Sequence, residues 1–284
     1  MIVAAAGAAA MKRRRGGGGT PSGPLSRSVF YLGHSLTNFD IPAMVEDIAV
    51  DQGHTNTWAA KIGIGAGLKF QYDNPTLGQG WPDDPMNTLT HLGANAYDVV
   101  IITEAQPLAD QIAVNDPVLY GGNFYDLAVG ENPGCQVYLY EHWGSRTTAG
   151  SDALWRVGID TDLPGWQSIA NGINATRSGT PDILIIPGGQ AMAALYDALA
   201  AAQVPGYTDI GDFFVDDIHL TDPGNYFMAC VHYASIYRRS PVGATSVTDD
   251  RFASPHTPPD ASAVTALQQI AWDVVQPWFA NGGI

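Results

Sequence analysis

The chain has 284 residues and a hydrophobic fraction of 45%, which is ordinary for a globular protein with a sizeable core. Its formal net charge is −15, and such an acidic body disfavours nucleic acid and anionic membrane surfaces as partners. No stretch of the sequence is long and apolar enough to span a bilayer. The two cysteines, Cys135 and Cys230, lack the CxxC spacing of a structural zinc site and are interpreted as small buried apolar residues.

The first 26 residues differ from the rest of the chain. A short apolar run precedes a basic cluster, Lys12 to Arg15, whereas a secretory signal has the basic part first. We interpret residues 1–26 as a disordered leader and residues 27–284 as one domain. Without the four cations of the cluster, the remaining residues carry a charge of −19. This order of segments does not indicate a compartment, and the sequence indicates no oligomeric state.

Short apolar runs then alternate with amphipathic segments. Strands are predicted at residues 28–32, 55–62, 98–103, 135–142 and 182–187. Helices are predicted at residues 40–52, 165–176, 190–202, 223–238 and 261–276, the last ending near Pro277. Residues 108–133 are rich in Gly, Asn and Pro and are predicted to form a loop. Apolar strands alternating with helices predict a three-layer α/β/α fold with a doubly wound, five-stranded parallel sheet.

The chemistry of such a sheet is expected at the carboxyl ends of its strands. Gly33-His34-Ser35-Leu36 directly follows the first strand. A serine at a strand-to-helix turn is exposed near free backbone N–H groups and the positive end of a helix dipole, which favour an alkoxide and an oxyanion. Ser35 is therefore a candidate nucleophile, although such a serine can also simply bond its own turn.

A second candidate group lies near the C-terminus, in the sequence Asp216-Asp217-Ile218-His219. A histidine just before a helix can reach a serine across the same crevice and act as general base and then general acid. Asp216, three residues earlier, can accept the Nδ1 proton and stabilise the imidazolium. Asp217 is an alternative for that role.

Together these segments resemble the SGNH (GDSL-like) family of serine ester hydrolases. GHSL resembles its first block, with His34 where Asp is usual, and DDIHLTDPGNYFMA resembles its terminal DxxH block. The resemblance implies a flavodoxin-like fold and a catalytic triad of Ser35, His219 and Asp216. It also implies an oxyanion hole formed by Ser35, Gly65 and Gln106. Gly63 and Gly67 are alternatives to Gly65, and Glu104 is an alternative to Gln106, which occupies the position of the family's Asn.

The resemblance implies hydrolysis of short-acyl esters of small molecules or carbohydrates through an acyl-enzyme. An acyltransferase with the same triad and a non-catalytic binding protein are the alternatives. No GxGxxG follows a strand, and Gly188-Gly189-Gln190 lacks the lysine of a P-loop. We therefore expect neither a cofactor nor a metal. Trp143 follows the fourth strand and is expected near the crevice, more as a packing residue than as a sugar platform.

Overall fold

The computed structural model describes residues 25–177, 181–249 and 255–284. In these residues the strands are β1 (Ser26–Gly33), β2 (Thr55–Ile62), β3 (Gln79–Trp81), β4 (Val99–Ile102), β5 (Gln136–Glu141) and β6 (Leu184–Pro187). Most of the predicted leader lies outside the described residues, and its division from the domain stays a prediction. No helix within the described ranges is long and apolar enough to cross a membrane.

The helices of the described ranges flank this sheet. They are α1 (Asp40–Asp51), α2 (Leu68–Asp73), α3 (Thr88–Leu92), α4 (Leu108–Val114), α5 (Pro117–Glu131), α6 (Arg146–Ala149), α7 (Asp152–Ala175), α8 (Gly188–Ala200), α9 (Asp222–Tyr237) and α10 (Val264–Ala280). A single 3₁₀ turn, Ile210–Phe213, precedes α9 in this part of the chain.

The described strands form one sheet in the order β3-β2-β1-β4-β5-β6. All neighbouring pairs are parallel except β2 and β3, which are antiparallel. The predicted doubly wound sheet of five parallel strands is thus confirmed, and its order β2-β1-β4-β5-β6 is the flavodoxin-like one. The short edge strand β3 is an addition that the sequence did not indicate.

The two faces of the sheet are buried against different helices. Val29 and Tyr31 of β1 belong to a core that includes α1, α8, α9 and α10, whereas Phe30 and Leu32 belong to a core with α5 and part of α7. Successive strand residues point to opposite faces, so a continuous apolar strand is what two covered faces require. Cys135 and Cys230 are free and fully buried, as predicted.

The prediction of a loop over residues 108–133 is wrong, because this region forms α4 and α5. Asp116 caps α5 by accepting a hydrogen bond from Leu119 N–H, and Pro117 stands at its first position, where proline is well tolerated. Gly121 faces Ile173 of α7, where a Cβ would lie 3.0 Å from the isoleucine Cδ1. Glycine therefore permits close helix packing here and does not mark a turn.

Two predicted helix boundaries are also wrong. Helix α7 begins at Asp152, well before the predicted residue 165, and passes through Pro164. Helix α10 continues past Pro277 to Ala280, although proline was expected to end it. In both helices burial of one apolar face outweighs the local cost of the proline, which removes one backbone hydrogen bond.

Candidate active site

Ser35 lies on the turn that follows β1. A Cβ at Gly33 would lie 2.3 Å from Thr37 Oγ1, so glycine is needed for the turn to close this tightly. The backbone N–H groups of Thr37 and Asn38 each donate to His34 O at 2.9 Å. Ser35 is half-buried, whereas the residues on either side of it are buried. The turn therefore presents the Ser35 side chain at the carboxyl edge of the sheet.

His219 and Asp216 share a short loop that precedes α9. The loop is closed by the Val215 N–H, which donates to His219 O at 2.9 Å. Trp143, at the end of β5, is fully buried and donates its indole N–H to Ile218 O at 2.9 Å. Trp143 thus holds the loop that carries His219 through this hydrogen bond. Because its ring is buried, it has no exposed face on which a sugar could stack.

The structure brings Ser35, His219 and Asp216 into one hydrogen-bonded chain. Ser35 Oγ lies 2.9 Å from His219 Nε2, and His219 Nδ1 lies 2.7 Å from Asp216 Oδ2. A carboxylate can only accept, so Nδ1 carries the proton and Nε2 accepts from the serine hydroxyl. This tautomer is the one that a general base for Ser35 requires.

The two neighbouring aspartates have different partners. Asp216 Oδ1 accepts hydrogen bonds from His219 N–H at 2.7 Å and Ile218 N–H at 2.9 Å. The backbone hydrogen bond from His219 is the largest of the effects that lower the pKa of Asp216 to about 2. The carboxylate of Asp217 instead accepts from the Ser145 hydroxyl. In this geometry Asp216, and not Asp217, orients His219.

Backbone N–H groups near Ser35 are available to an oxyanion. In the described part of the chain, the N–H groups of Ser35 and Gly65 donate to no protein acceptor. Gly65 is exposed and has a φ of +66°, a conformation that favours glycine. The Gly63 N–H is already engaged with Gly33 O at 2.9 Å. Gly65 is therefore a better candidate donor than Gly63.

Gln106 lies on the loop after β4. Its Oε1 accepts from Leu108 N–H at 2.8 Å, which fixes the orientation of the amide. Its Nε2 is buried and has no hydrogen-bond partner among the described residues. An unpaired buried donor is costly in a folded protein, which makes Gln106 Nε2 the candidate donor on this loop. Because β2, β1 and β4 are neighbours in the sheet, the loops carrying Gly65, Ser35 and Gln106 adjoin.

Glu104 has a role that the sequence did not reveal. Its side chain is fully buried, and Oε1 accepts from Ala105 N–H at 2.8 Å and Leu68 N–H at 3.2 Å. A Cβ at Gly67 would lie 2.0 Å from that oxygen, so glycine is required there. Burial raises the pKa of Glu104 to about 6. Glu104 thus ties the loop after β4 to the loop after β2, and its Oε1 is not turned toward a substrate.

His34 replaces the usual Asp of the first block and is buried beneath the nucleophile turn. Its Nε2 lies 3.1 Å from Glu104 O, and its Nδ1 accepts from Leu36 N–H at 3.3 Å. His142 Nε2 lies 2.7 Å from the same Glu104 oxygen. Burial, with the neighbouring His142, lowers the pKa of His34 to about 3. A neutral His34 therefore links the turn of Ser35 to the loop of Glu104 and Gln106.

The Gly188-Gly189-Gln190 segment is explained by a buried carboxylate. Glu141 Oε2 accepts from Gly189 N–H at 2.8 Å and Gln190 N–H at 3.2 Å, at the beginning of α8. A Cβ at Gly189 would lie 2.4 Å from Glu141 Oε1, so only glycine leaves room for the Glu141 carboxyl group. In residues 25–177, 181–249 and 255–284, no three His, Cys, Asp or Glu side chains form a group that could hold a metal ion.

Among known proteins, the similarity that is found concerns the fold. No protein-family model and no curated protein sequence matches the chain. The fold is similar to that of a DUF4886 family protein from Bacteroides uniformis, with a TM-score of 0.65 and 14% identity over 88% of this chain and 95% of that one. This likeness concerns the fold, which is the doubly wound α/β class described above.

Two further solved structures are similar at lower scores. A putative GDSL-like lipase from Parabacteroides merdae has a TM-score of 0.46 and 13% identity, over 76% of this chain and 97% of that one. A carbohydrate esterase family 3 protein from Talaromyces cellulolyticus has a TM-score of 0.47 and 14% identity, over 75% and 97%.

Proposed function

We propose that the protein is a serine-dependent carboxylic ester hydrolase acting on esters of small molecules or carbohydrates. The observation that carries this proposal is the hydrogen-bonded chain from Ser35 Oγ through the His219 ring to the Asp216 carboxylate. In it a weak nucleophile, a base and an orienting acid stand at the carboxyl edge of the sheet, where ligands bind in such folds.

The reaction divides into two acyl transfers. Ser35 Oγ attacks the ester carbonyl carbon while His219 Nε2 takes the hydroxyl proton. The carbonyl oxygen becomes an oxyanion, for which the Ser35 and Gly65 N–H groups and Gln106 Nε2 are the proposed hydrogen-bond donors. The imidazolium then returns the proton to the departing alcohol as the C–O bond breaks. Water, activated by the same nitrogen, hydrolyses the acyl-enzyme and regenerates Ser35.

The test compares the wild type with Ser35→Ala on p-nitrophenyl esters, with a fluorophosphonate label located by mass spectrometry. We expect wild-type hydrolysis, a loss of at least about 10³-fold in Ser35→Ala, and the label on Ser35. Circular dichroism checks that the variant is folded. Equal activity in both proteins would remove Ser35 as nucleophile. Equal inactivity, with no labelling, would favour a binding protein. Transfer to added alcohol in preference to water would favour an acyltransferase.

A further inference from the structure

A cavity of about 420 Å³ opens beside the proposed oxyanion donor. We call it the side cavity. The loops after β4 and β5, the helices α6 and α7, and the neighbour of the proposed base form its walls. Its lining includes Gln106, Gly144, Trp155, Gly158, Ile159 and Ile218. It therefore adjoins both the group proposed to bind the carbonyl oxygen and the loop that carries His219.

Two of the polar side chains in this lining, Trp155 and Ser145, are engaged in hydrogen bonds within the protein. Trp155 is buried and donates its indole N–H to Gly144 O at 3.0 Å. The hydroxyl of Ser145, which also lines the cavity, donates to Asp217. Ile159 and Ile218 add aliphatic surface. Such walls favour an apolar ligand. A polar ligand would lose its hydrogen bonds to water on entering, whereas an apolar ligand has none to lose.

The lining contains one carboxylate, Asp162, and no Lys, Arg or His among the described residues. Partial burial raises the pKa of Asp162 above its ordinary value. A carboxylate in a partly desolvated wall repels an anionic group that enters the same space. The side cavity is therefore suited to a neutral ligand and unsuited to one that ends in a carboxylate.

The geometry also indicates which half of an ester enters. The alcohol must receive a proton from His219 and then depart. The side chains of His219 and Asp216 are 40% and 48% exposed, so departure toward solvent is open on that side. The acyl group stays attached to Ser35 until water arrives. A largely apolar recess beside Gln106 fits the part that stays.

We infer that the side cavity binds the acyl chain of the substrate and selects neutral chains several carbons longer than acetyl. This inference rests on the proposed function. The cavity volume of about 420 Å³ is the volume that about fourteen water molecules occupy in liquid water. An acetyl group would fill only a small part of it, because it would place a single methyl group there. Each additional buried methylene is expected to raise kcat/KM about fourfold, until the cavity is full.

Gly158 offers a way to fill the cavity without disturbing its walls. Trp155, Gly158, Ile159 and Asp162 of α7 all line it, and their spacing of three, four and seven residues places them on one helix face. A Cβ at Gly158 would meet no atom within 4 Å. A leucine there extends into the cavity from an unstrained helical position.

Gly130 supplies a matched control. It also lies within a helix, α5, and a Cβ there would likewise meet no atom within 4 Å. It does not line the side cavity. Gly130→Leu thus makes the same chemical change as Gly158→Leu in an equally open helical position, away from the proposed substrate.

The experiment measures kcat/KM for p-nitrophenyl acetate, butyrate, hexanoate and octanoate. We expect wild type and Gly130→Leu to prefer hexanoate over acetate by at least tenfold. Gly158→Leu should lower the ratio of hexanoate to acetate kcat/KM at least tenfold below that of Gly130→Leu, with Gly158→Ala intermediate. The p-nitrophenyl monoester of succinic acid should react at least tenfold more slowly than the butyrate.

The outcomes separate this inference from the function on which it rests. Wild-type activity without a chain-length preference would overturn the inference alone. So would an equal loss on all chain lengths in a Gly158→Leu protein whose circular dichroism and Tm match those of Gly130→Leu. If Gly158→Leu does not fold, the wild-type series and Gly158→Ala still decide. Inactivity of the wild type toward all four esters would remove the proposed function, and this inference with it.

Discussion

The two adjacent aspartates of the histidine loop allow a sharp test of the proposed mechanism. Asp216 Oδ2 lies 2.7 Å from His219 Nδ1, whereas the carboxylate of Asp217 is bonded to Ser145. The substitutions Asp216→Asn and Asp217→Asn remove the same charge from neighbouring positions. The first also replaces an acceptor with an amide that can turn an N–H toward the ring and disfavour the required tautomer.

The size of the effect follows from the interaction that is lost. Charges about 4 Å apart attract by about 1 kcal/mol in water and about 4 kcal/mol at the effective dielectric constant of a protein surface. The Asp216 side chain is 48% exposed, so screening places the loss between these limits, at about 2–3 kcal/mol. That energy corresponds to a decrease of about 30- to 150-fold in kcat, to which any loss of the correct tautomer adds.

The assay is steady-state hydrolysis of p-nitrophenyl butyrate at pH 7.5 (a setting of about this value suits a neutral histidine base). We expect Asp216→Asn to lose about 10²-fold in kcat with KM little changed, and Asp217→Asn to stay within about threefold of wild type. A similar loss in both variants would show that loop structure, and not the Asp216–His219 contact, is what matters. Near-normal activity of Asp216→Asn would refute the assignment outright.

Three further predictions concern other parts of the molecule. Gln106→Leu removes the unpartnered Nε2 donor and should lower kcat by about 10²-fold, the usual effect of losing one oxyanion donor, with Ser35 labelling retained. Burial raises the pKa of Glu141 to about 8, above its value in the unfolded chain, so the folded protein retains a proton that the unfolded chain has lost. The contribution of Glu141 to the free energy of unfolding should therefore fall as pH rises from about 4.5 to about 8, by an amount on the order of 4 kcal/mol, and Glu141→Gln should make the measured slope clearly shallower. Gly189→Ala, whose Cβ would meet Glu141 Oε1 at 2.4 Å, should cost about 1–3 kcal/mol, whereas Gly130→Ala should stabilise by up to about 1 kcal/mol.

Each of these predictions has a contrary outcome. Unchanged kinetics in Gln106→Leu would mean that the amide binds no oxyanion. Chemical denaturation at pH 5, 6.5 and 8 measures the Glu141 effect, and an equal slope in wild type and Glu141→Gln would assign it to other groups. Equal Tm values for Gly189→Ala and Gly130→Ala would contradict the close contact between Gly189 and the Glu141 carboxylate.

The sequence was sufficient to predict the candidate triad because its geometry is mostly local. Asp216 and His219 are three residues apart, and Ser35 follows an unmistakable buried strand. The carboxyl ends of parallel strands share one edge of a sheet, so the remaining juxtaposition followed from the fold class. The choice between Asp216 and Asp217 needed the structure, because only the structure shows that the Asp217 carboxylate accepts a hydrogen bond from Ser145.

The features that the sequence missed depend on contacts between distant segments. Glu104 follows a strand, as a substrate-binding acid would, and only its hydrogen bond to Leu68 N–H shows that it joins two loops. The Gly-Gly-Gln segment is typical of a turn or an anion site until Glu141 is seen beside it. Residues 108–133 have loop-like composition, and their helices depend on packing against α7. Local propensity does not encode any of these partners.

The loop that carries His219 and Asp216 has a consequence for how activity can be lost. Both members of the acid–base pair are fixed to the same few residues, so their mutual alignment survives small displacements of that segment as a whole. The separation between Ser35 Oγ and His219 Nε2 instead spans 184 positions of the chain. Gentle heating or partial denaturation should therefore separate Ser35 from His219, and so abolish the activity of the nucleophile, while the imidazole–carboxylate contact persists. Recovery of activity then requires that refolding restore this one long-range distance.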